Sequence, residues 1–272
     1  MTSTSTSIEE GSVLLITLDS CRFDTFRRIK PRLLSAVGKL HRAMAPSHFT
    51  YGSHAAIYMG FLPSVRPAKA YLNSKYCKLF RIEFGGSIGK SEAAFALDGG
   101  SIIEGFRNKN YITIGSGAAS WFNPQTPTGK KLSLDFEKFY YPGTTWQLRD
   151  QLNWIEEELR KTSGRPVFIL LNIGETHVPY WHTGASWSKE DNPCVPFQKK
   201  NRRRECWHRQ GECLKYIDSQ LGPILNRFSN ETIVITADHG DCWGENGLWE
   251  HGISHQKTLE VPLLARLNGI PL

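Results

Sequence analysis

Short apolar runs, separated by polar and turn-forming stretches, set the pattern of the chain. Val13–Leu18, Tyr111–Ile114, Val167–Ile173, Thr232–Thr236 and Val261–Leu267 are rich in Val, Ile and Leu and do not alternate with polar residues. Strands that are apolar on both faces are covered on both faces, so these runs predict a mostly parallel, buried sheet. Between them, Thr145–Lys161 places Trp146, Leu148, Leu152, Trp154, Ile155 and Leu159 at helical spacing among charges. Glu212–Phe228 reads as a second helix, interrupted at Gly222 and Pro223. Strands alternating with helices predict an α/β fold, a mostly parallel central sheet sandwiched by helices, with the chemistry in loops at the carboxyl ends of the strands.

Two stretches fall outside this pattern. Residues 1–11 are polar, Ser- and Thr-rich and aperiodic, which predicts a disordered N-terminus ahead of a single catalytic domain over 12–272. Pro179–Arg209 mixes Trp, Pro, Asn and a basic cluster without a period, which predicts a long excursion or lid (179–209) near the active site.

Composition narrows the class. The chain has 272 residues, 40% hydrophobic and 22% charged, inside the globular range. The apolar run Val13–Leu18 is far short of the roughly 18 residues of a membrane span and has no basic segment before it, so the expectation is a cytoplasmic protein without a membrane partner. The six cysteines show no C-x-x-C spacing, which predicts free thiols rather than a zinc ribbon. The formal net charge is +7, and much of the surplus is the run Lys199, Lys200, Arg202, Arg203 and Arg204. Such a surface attracts phosphates whatever their owner, but one run is more often a solvated loop than a recognition stripe, which argues against nucleic acid as the partner.

The most informative residues follow two of the strands. Val13–Leu18 runs into Asp19, Ser20, Cys21, Arg22, Phe23 and Asp24, and Thr232–Thr236 into Ala237, Asp238, His239, Gly240 and Asp241. An acid at the end of a buried strand needs a cation or a dense set of hydrogen bonds. Taken singly, Asp19 and Asp238 also suit helix caps. Together, with His239 adjacent and His177, His251 and His255 elsewhere, they favour a divalent metal, and carboxylates with imidazole suit Zn²⁺ or Mn²⁺ better than Ca²⁺.

VLLITLDSCRFD (Val13–Asp24), TADHGDCWGENGLWEHG (Thr236–Gly252) and LEVPLLAR (Leu259–Arg266), in that order, resemble the alkaline phosphatase superfamily, above all its sulfatase, phosphodiesterase and lipid-headgroup phosphotransferase branches. The resemblance implies a nucleophile at the start of a helix within SHFTYGSHAAIYMGFLP (Ser47–Pro63). Counting back from Gly60 and Pro63 by the sulfatase spacing reaches Thr50, with Ser47 and Ser53 as the other hydroxyls. The phosphodiesterase branch has an Asn-His pair where this chain has Ser53-His54, which implies a substrate-binding place for those two. A hydroxyl needs a metal to act as a nucleophile at neutral pH, and a helix N-terminus offers N–H groups to phosphoryl oxygens.

Carried over by position, the resemblance implies one firm metal held by Asp19, Thr50, Asp238 and His239. His177 matches a histidine that contacts the transferred group, and His251 one that the phosphoethanolamine transferases carry in a similar GENGLxxHG context. These two, with Glu175 and His255, form the set for a second metal or for substrate, and His177 or His251 is also the expected catalytic acid for the leaving group. Sulfatases depend on a Cys or Ser oxidised to formylglycine, which a threonine cannot yield. The expected activity is therefore metal-dependent hydrolysis of a small phosphate mono- or diester, or a phosphonate ester, through a Thr50 intermediate. The alternatives are a sulfatase-like hydrolase without formylglycine and a catalytically silent metal-binding module. Related branches commonly add a C-terminal subdomain or membrane helices; the end of this chain soon after Arg266 implies a core without a large C-terminal subdomain.

Overall fold

The structure is a computed structural model that describes residues 11–60, 80–84, 93–97, 100–162, 164–195 and 202–272, with backbone alone for 80–84 and 93–97. Its strands, in chain order, are β1 (Val13–Leu18), β2 (His41–Met44), β3 (Phe80–Phe84), β4 (Ala93–Leu97), β5 (Ile112–Gly117), β6 (Lys138–Tyr140), β7 (Val167–Ile173), β8 (Thr232–Ala237), β9 (Cys242–Trp243), β10 (Trp249–Glu250), β11 (Glu260–Leu267) and β12 (Ile270–Pro271). The stretch 1–10, Pro63, Cys77, Lys199 and Lys200 lie outside the described residues.

The expected apolar runs build one sheet in the order β12-β11-β8-β1-β7-β5-β6, with β2 also paired to β11. β8, β1, β7, β5 and β6 are mutually parallel, while β11 runs antiparallel to β8 and to β2 and β12. The mostly parallel α/β sheet inferred from the apolar runs is thus the observed one, with an antiparallel edge. β1 is central: Leu18 lies level with Ile173 of β7 and Ala237 of β8, so three strand ends are adjacent.

Period-two alternation divides the core into two halves. Leu14, Ile16 and Leu18 of β1, with Ile169, Leu171 and Ile173 of β7, pack with Leu148, Ile155 and Leu159 of helix Leu148–Lys161 and Leu214 and Ile217 of helix Arg203–Gln220. Phe168 and Leu170 face the other way, toward Tyr58 of helix Thr50–Met59, Ile103 of helix Ile102–Asn108 and Leu132 of helix Pro127–Ser133. Each fully buried Leu or Ile removes enough apolar surface to contribute roughly 1.5–3 kcal/mol, so both layers of helices are held by the strands that carry the site.

The segment 179–209 differs from an irregular excursion over its whole length. Residues 180–195 run without a helix or strand, but helix Arg203–Gln220 begins nine residues before the start expected at Glu212. Charge pairing explains why the described end of the basic run, Arg202–Arg204, leads into a helix rather than a solvated loop. Arg202 pairs with Asp191 (2.6 Å) and Glu205 (2.7 Å), Arg203 pairs with Glu245 (3.1 Å), and buried Arg209 pairs with Asp191 (2.5 Å) and Glu205. The described part of the excursion is pinned by these pairs and by Trp187 Nε1 donating to the Tyr180 carbonyl at 2.8 Å.

Candidate metal centre

Asp19 and Asp238 occupy the first positions beyond β1 and β8, and both are fully buried. Neither acid caps a helix: the residue before helix Phe23–Ile29 is Arg22, which makes no side-chain cap bond, and Asp238 is followed by irregular chain. Ser20 N (3.2 Å) and His239 N (2.9 Å) donate to Asp238 Oδ1, and Ser20 Oγ donates to Asp19 Oδ1 (3.2 Å). The second oxygen of each acid, Oδ2, is buried without a hydrogen-bond partner. An orphaned buried carboxylate oxygen costs kilocalories, and here there are two.

His239 completes the group. Its Nδ1–H donates to the Gly240 carbonyl (3.0 Å), which leaves the Nε2 lone pair directed at Thr50 Oγ1 (3.3 Å), Asp19 Oδ1 (3.6 Å) and Asp238 Oδ2 (3.7 Å). A ligand atom from each of Asp19, Asp238 and His239 lies within 4.8 Å of the others. Burial, then the charge of Asp238, pushes the Asp19 carboxyl well above its ordinary range, and burial lowers His239 so that its imidazole is neutral. Two repelling carboxylates, a neutral imidazole with an open lone pair and two orphaned oxygens form a donor set that fits a divalent cation.

Thr50 is the first residue of helix Thr50–Met59, not its cap; Phe49 precedes it with extended backbone. Its hydroxyl is free of the capping role and bonds His239 instead. Gly52 permits the tight turn before it, since a Cβ there would stand 2.6 Å from Ser47 Oγ and 2.9 Å from Phe49 Cε1.

Ser53 and His54 do not take the substrate-binding places expected of them. Ser53 Oγ donates to the Asp238 carbonyl (2.6 Å) and accepts from Ser47 N (3.1 Å). His54 Nδ1–H donates to the Thr50 carbonyl (2.9 Å), and its Nε2 accepts from Thr17 Oγ1 (3.0 Å), which in turn accepts from Asn172 Nδ2 (3.2 Å). Both are fully buried and fasten the helix start to the strand ends.

A second cluster lies against the first. His251 Nδ1 donates to Asp241 Oδ1 (2.7 Å), and Tyr180 Oη, itself accepting from Trp243 Nε1 (2.7 Å), donates to Asp241 Oδ2 (2.7 Å). His239, Asp241 and His251 hold ligand atoms within 4.8 Å of one another. The ring centroid of His251 is 4.5 Å from that of His239 and 5.1 Å from that of His177. Burial opposes the charge on His251, but the hydrogen bond and charge of Asp241 override it and raise the imidazole to about 9. Burial and the neighbouring His251 lower His177 to about 4, while its Nδ1–H is held by the Val178 carbonyl (2.8 Å). At neutral pH one of the two rings is therefore a cation and the other neutral.

Glu175 and His255 stay outside both clusters. Glu175 Oε1 accepts from Leu148 N (2.8 Å) at the start of helix Leu148–Lys161. His255 caps helix Gln256–Leu259 through Lys257 N (3.0 Å) and bonds Asn246 (3.0 Å). Asp241 and Tyr180 are the residues that inspection of the sequence left without a role. The only sequence signal for Asp241 was its place three residues after Asp238, and Tyr180 carried none.

The fold is that of an α/β protein of the alkaline-phosphatase type, with a buried carboxylate–imidazole cluster, a candidate metal site, at the ends of parallel strands. The sulfatase family model matches residues 86–272, and the chain belongs to that family. No curated protein matches the sequence. Among solved structures, the chain is similar to the periplasmic domain of EcEptC from Escherichia coli in complex with Zn, at 13% identity and TM-score 0.64, over 95% of this chain and 73% of that one. It is also similar to the integral membrane lipooligosaccharide phosphoethanolamine transferase A of Neisseria meningitidis, at 13% identity and TM-score 0.58, over 94% of this chain and 47% of that one. The lipoteichoic acid synthase LtaP of Listeria monocytogenes matches at 12% identity and TM-score 0.55, over 95% and 66%. The chain thus spans about half the length of the Neisseria transferase. Among the described residues, no helix is long and apolar enough to cross a membrane.

Proposed function

We propose that the protein is a metal-dependent phosphoryl-transfer enzyme that hydrolyses a small phosphate mono- or diester, or a phosphonate ester, by way of a covalent bond to Thr50. The observation that carries this reading is the Thr50 hydroxyl at a helix N-terminus, 3.3 Å from His239 Nε2 and beside two carboxylates with orphaned oxygens. Asp19, Thr50, Asp238 and His239 would hold a Zn²⁺ or Mn²⁺ ion, which supplies Lewis acidity and a lowered pKa for a hydroxyl it binds. The similarity to the Escherichia coli domain in complex with Zn supports zinc.

The chain's own groups account for the remaining needs of in-line transfer. Backbone N–H groups at the start of helix Thr50–Met59 face the phosphoryl oxygens. His251, a cation at neutral pH, donates to a non-bridging oxygen or to the departing alkoxide. His177, neutral with Nε2 open, takes the proton from the water that displaces Thr50 from phosphorus. The products are the leaving alcohol and phosphate from a monoester, a phosphomonoester from a diester, or a phosphonate from a phosphonate ester; the proton that Thr50 gives to solvent on attack is regained when its hydroxyl is restored.

Membership of the sulfatase family favours a second reading, sulfate-ester hydrolysis. Thr50 weighs against it, because threonine cannot become formylglycine. The proposed substrate is a small soluble anion and the proposed compartment is the cytoplasm, supported by the five described cysteines, all free thiols. The test is incubation with Zn²⁺ or Mn²⁺ and aryl phosphate, bis-aryl phosphate and aryl sulfate. Cleavage of a phosphate ester that is lost in Thr50→Ala is expected. Cleavage of aryl sulfate alone supports the second reading. No cleavage of any ester leaves a metal-binding module.

A further inference from the structure

Among the described residues of the basic run, Arg202 and Arg203 are consumed by internal ion pairs, but Arg204 is not. It makes no ion pair among the described residues and lines a cleft of about 320 Å³ with Arg28, Ile29, His208, Glu212 and Lys215. Arg204, His208, Glu212 and Lys215 follow one another at helical spacing on helix Arg203–Gln220, so one face of that helix supplies most of the lining. The opposite wall is the C-terminal end of helix Phe23–Ile29.

Three features make this more than a chance gathering of surface charge. Gly211, between the two walls, lets the helices approach: a Cβ there would lie 2.9 Å from Ile29 Cδ1 and 3.3 Å from the Arg28 guanidinium. Arg28 is fixed rather than free, since its Nη2 donates to the Trp207 carbonyl (2.8 Å) and its guanidinium lies over the Trp207 ring at 4.4 Å. The single carboxylate, Glu212, is already engaged by Lys215 at 2.7 Å. Three cations against one carboxylate leave the cleft with a net positive charge, while arginine forks match a phosphate group in a bidentate way.

We infer that the cleft formed by Arg28, Arg204, His208 and Lys215 is a second phosphate-binding site, separate from the metal centre, that takes a phosphomonoester-type dianion. The dianion is borne by a free soluble phosphate or by the headgroup of an anionic lipid. This inference does not depend on the reaction proposed for Thr50, because none of its residues belongs to either metal-type cluster.

The test uses metal-loaded, full-length protein in two arms. Inorganic phosphate is titrated calorimetrically, and co-sedimentation is measured with phosphatidylcholine vesicles with and without phosphatidic acid. Arg204→Glu combined with Lys215→Glu is compared with wild type, with the milder Arg204→Gln/Lys215→Gln pair, and with Arg160→Glu/Lys161→Glu, which reverses two charges on another helix. A phosphate-binding event weakened at least about tenfold by the first pair, less by the second and not by the third, supports the site with a soluble source. Phosphatidic acid-dependent sedimentation with the same ranking supports it with a lipid source. Aryl phosphate hydrolysis, should it occur, stays unchanged in all three variants. The inference is overturned if neither arm shows binding that the Arg204/Lys215 pairs weaken, or if the Arg160/Lys161 pair weakens it equally.

Discussion

Removing one carboxylate of the candidate metal centre gives a prediction with opposite signs in the presence and absence of metal. An oxygen of Asp19 and one of Asp238 lie within 4.8 Å of each other, both residues fully buried, and the ring between them is neutral. At an effective dielectric of 20, two like charges at that separation repel by roughly 3 kcal/mol. The Asp19 carboxyl is raised in the folded state, so this penalty is absent below the unfolded carboxylate pKa and grows as the pH rises. Asp19→Asn removes the repulsion and offers an amide to the orphaned Asp238 Oδ2. A chain of this size shifts Tm by about 2 °C per kcal/mol, so the chelator-treated variant is expected to melt roughly 6 °C above chelator-treated wild type at pH 7.5. Added metal at a thousandfold excess over Kd stabilises wild type by about 4 kcal/mol, or roughly 8 °C, and leaves the variant nearly unmoved. Differential scanning calorimetry with a chelator and then with Zn²⁺ or Mn²⁺ reads both numbers. A metal-free variant that melts below metal-free wild type, or one that keeps the full metal increment, refutes the assignment of these carboxylates to a cation site.

Four further outcomes follow from the geometry. Ser53→Ala loses bonds to the Asp238 carbonyl and Ser47 N, so chemical denaturation should show a loss of about 1–3 kcal/mol, with the KM for an aryl phosphate unchanged; a raised KM at intact stability would restore a substrate-contacting role. Tyr180→Phe takes one donor from buried Asp241 and should cost about 1–2 kcal/mol and lower kcat rather than raise KM, as steady-state kinetics would show. Glu175 is raised by burial to about 7, so stability associated with its protonated form is fully present below about pH 4.5 and declines as the pH rises through 7. In Glu175→Gln, urea midpoints measured from pH 5 to pH 8 should lose that slope, worth about 3 kcal/mol. Finally, Thr50→Ala should abolish ester cleavage while a metal-dependent rise in Tm persists, because both carboxylates and His239 remain.

Much of the sheet was legible because its strands are buried on both faces: β1 and β7 coincide with Val13–Leu18 and Val167–Ile173 residue for residue. The short edge strands were not, since His41–Met44 is mostly exposed and Ile270–Pro271 is two residues long, too little for any period to register. Asp19, Asp238 and His239 stood out as polar residues where the apolar strands end. What stayed hidden is whatever depends on distant partners. Tyr180 and Asp241 are 61 residues apart in the chain, and only the folded loop brings the phenol to the carboxylate. The same holds for Ser53 and His54, whose side chains suit substrate equally well until Thr17, Ser47 and the Asp238 carbonyl are seen to occupy them. The basic run read as a solvated excursion because its partners, Asp191, Glu205 and Glu245, include acids both before and well after it.

The most direct test of the account is the covalent state of Thr50 during turnover. Metal-loaded protein mixed with an aryl phosphate, quenched in acid within the first turnovers, digested and examined by tandem mass spectrometry should show one added phosphoryl group on the peptide carrying Thr50, and none after aryl sulfate or in Thr50→Ala. Steady cleavage of the ester with Thr50 unmodified at every quench time, or with the phosphoryl group on Ser47, Ser53 or a histidine, would contradict it.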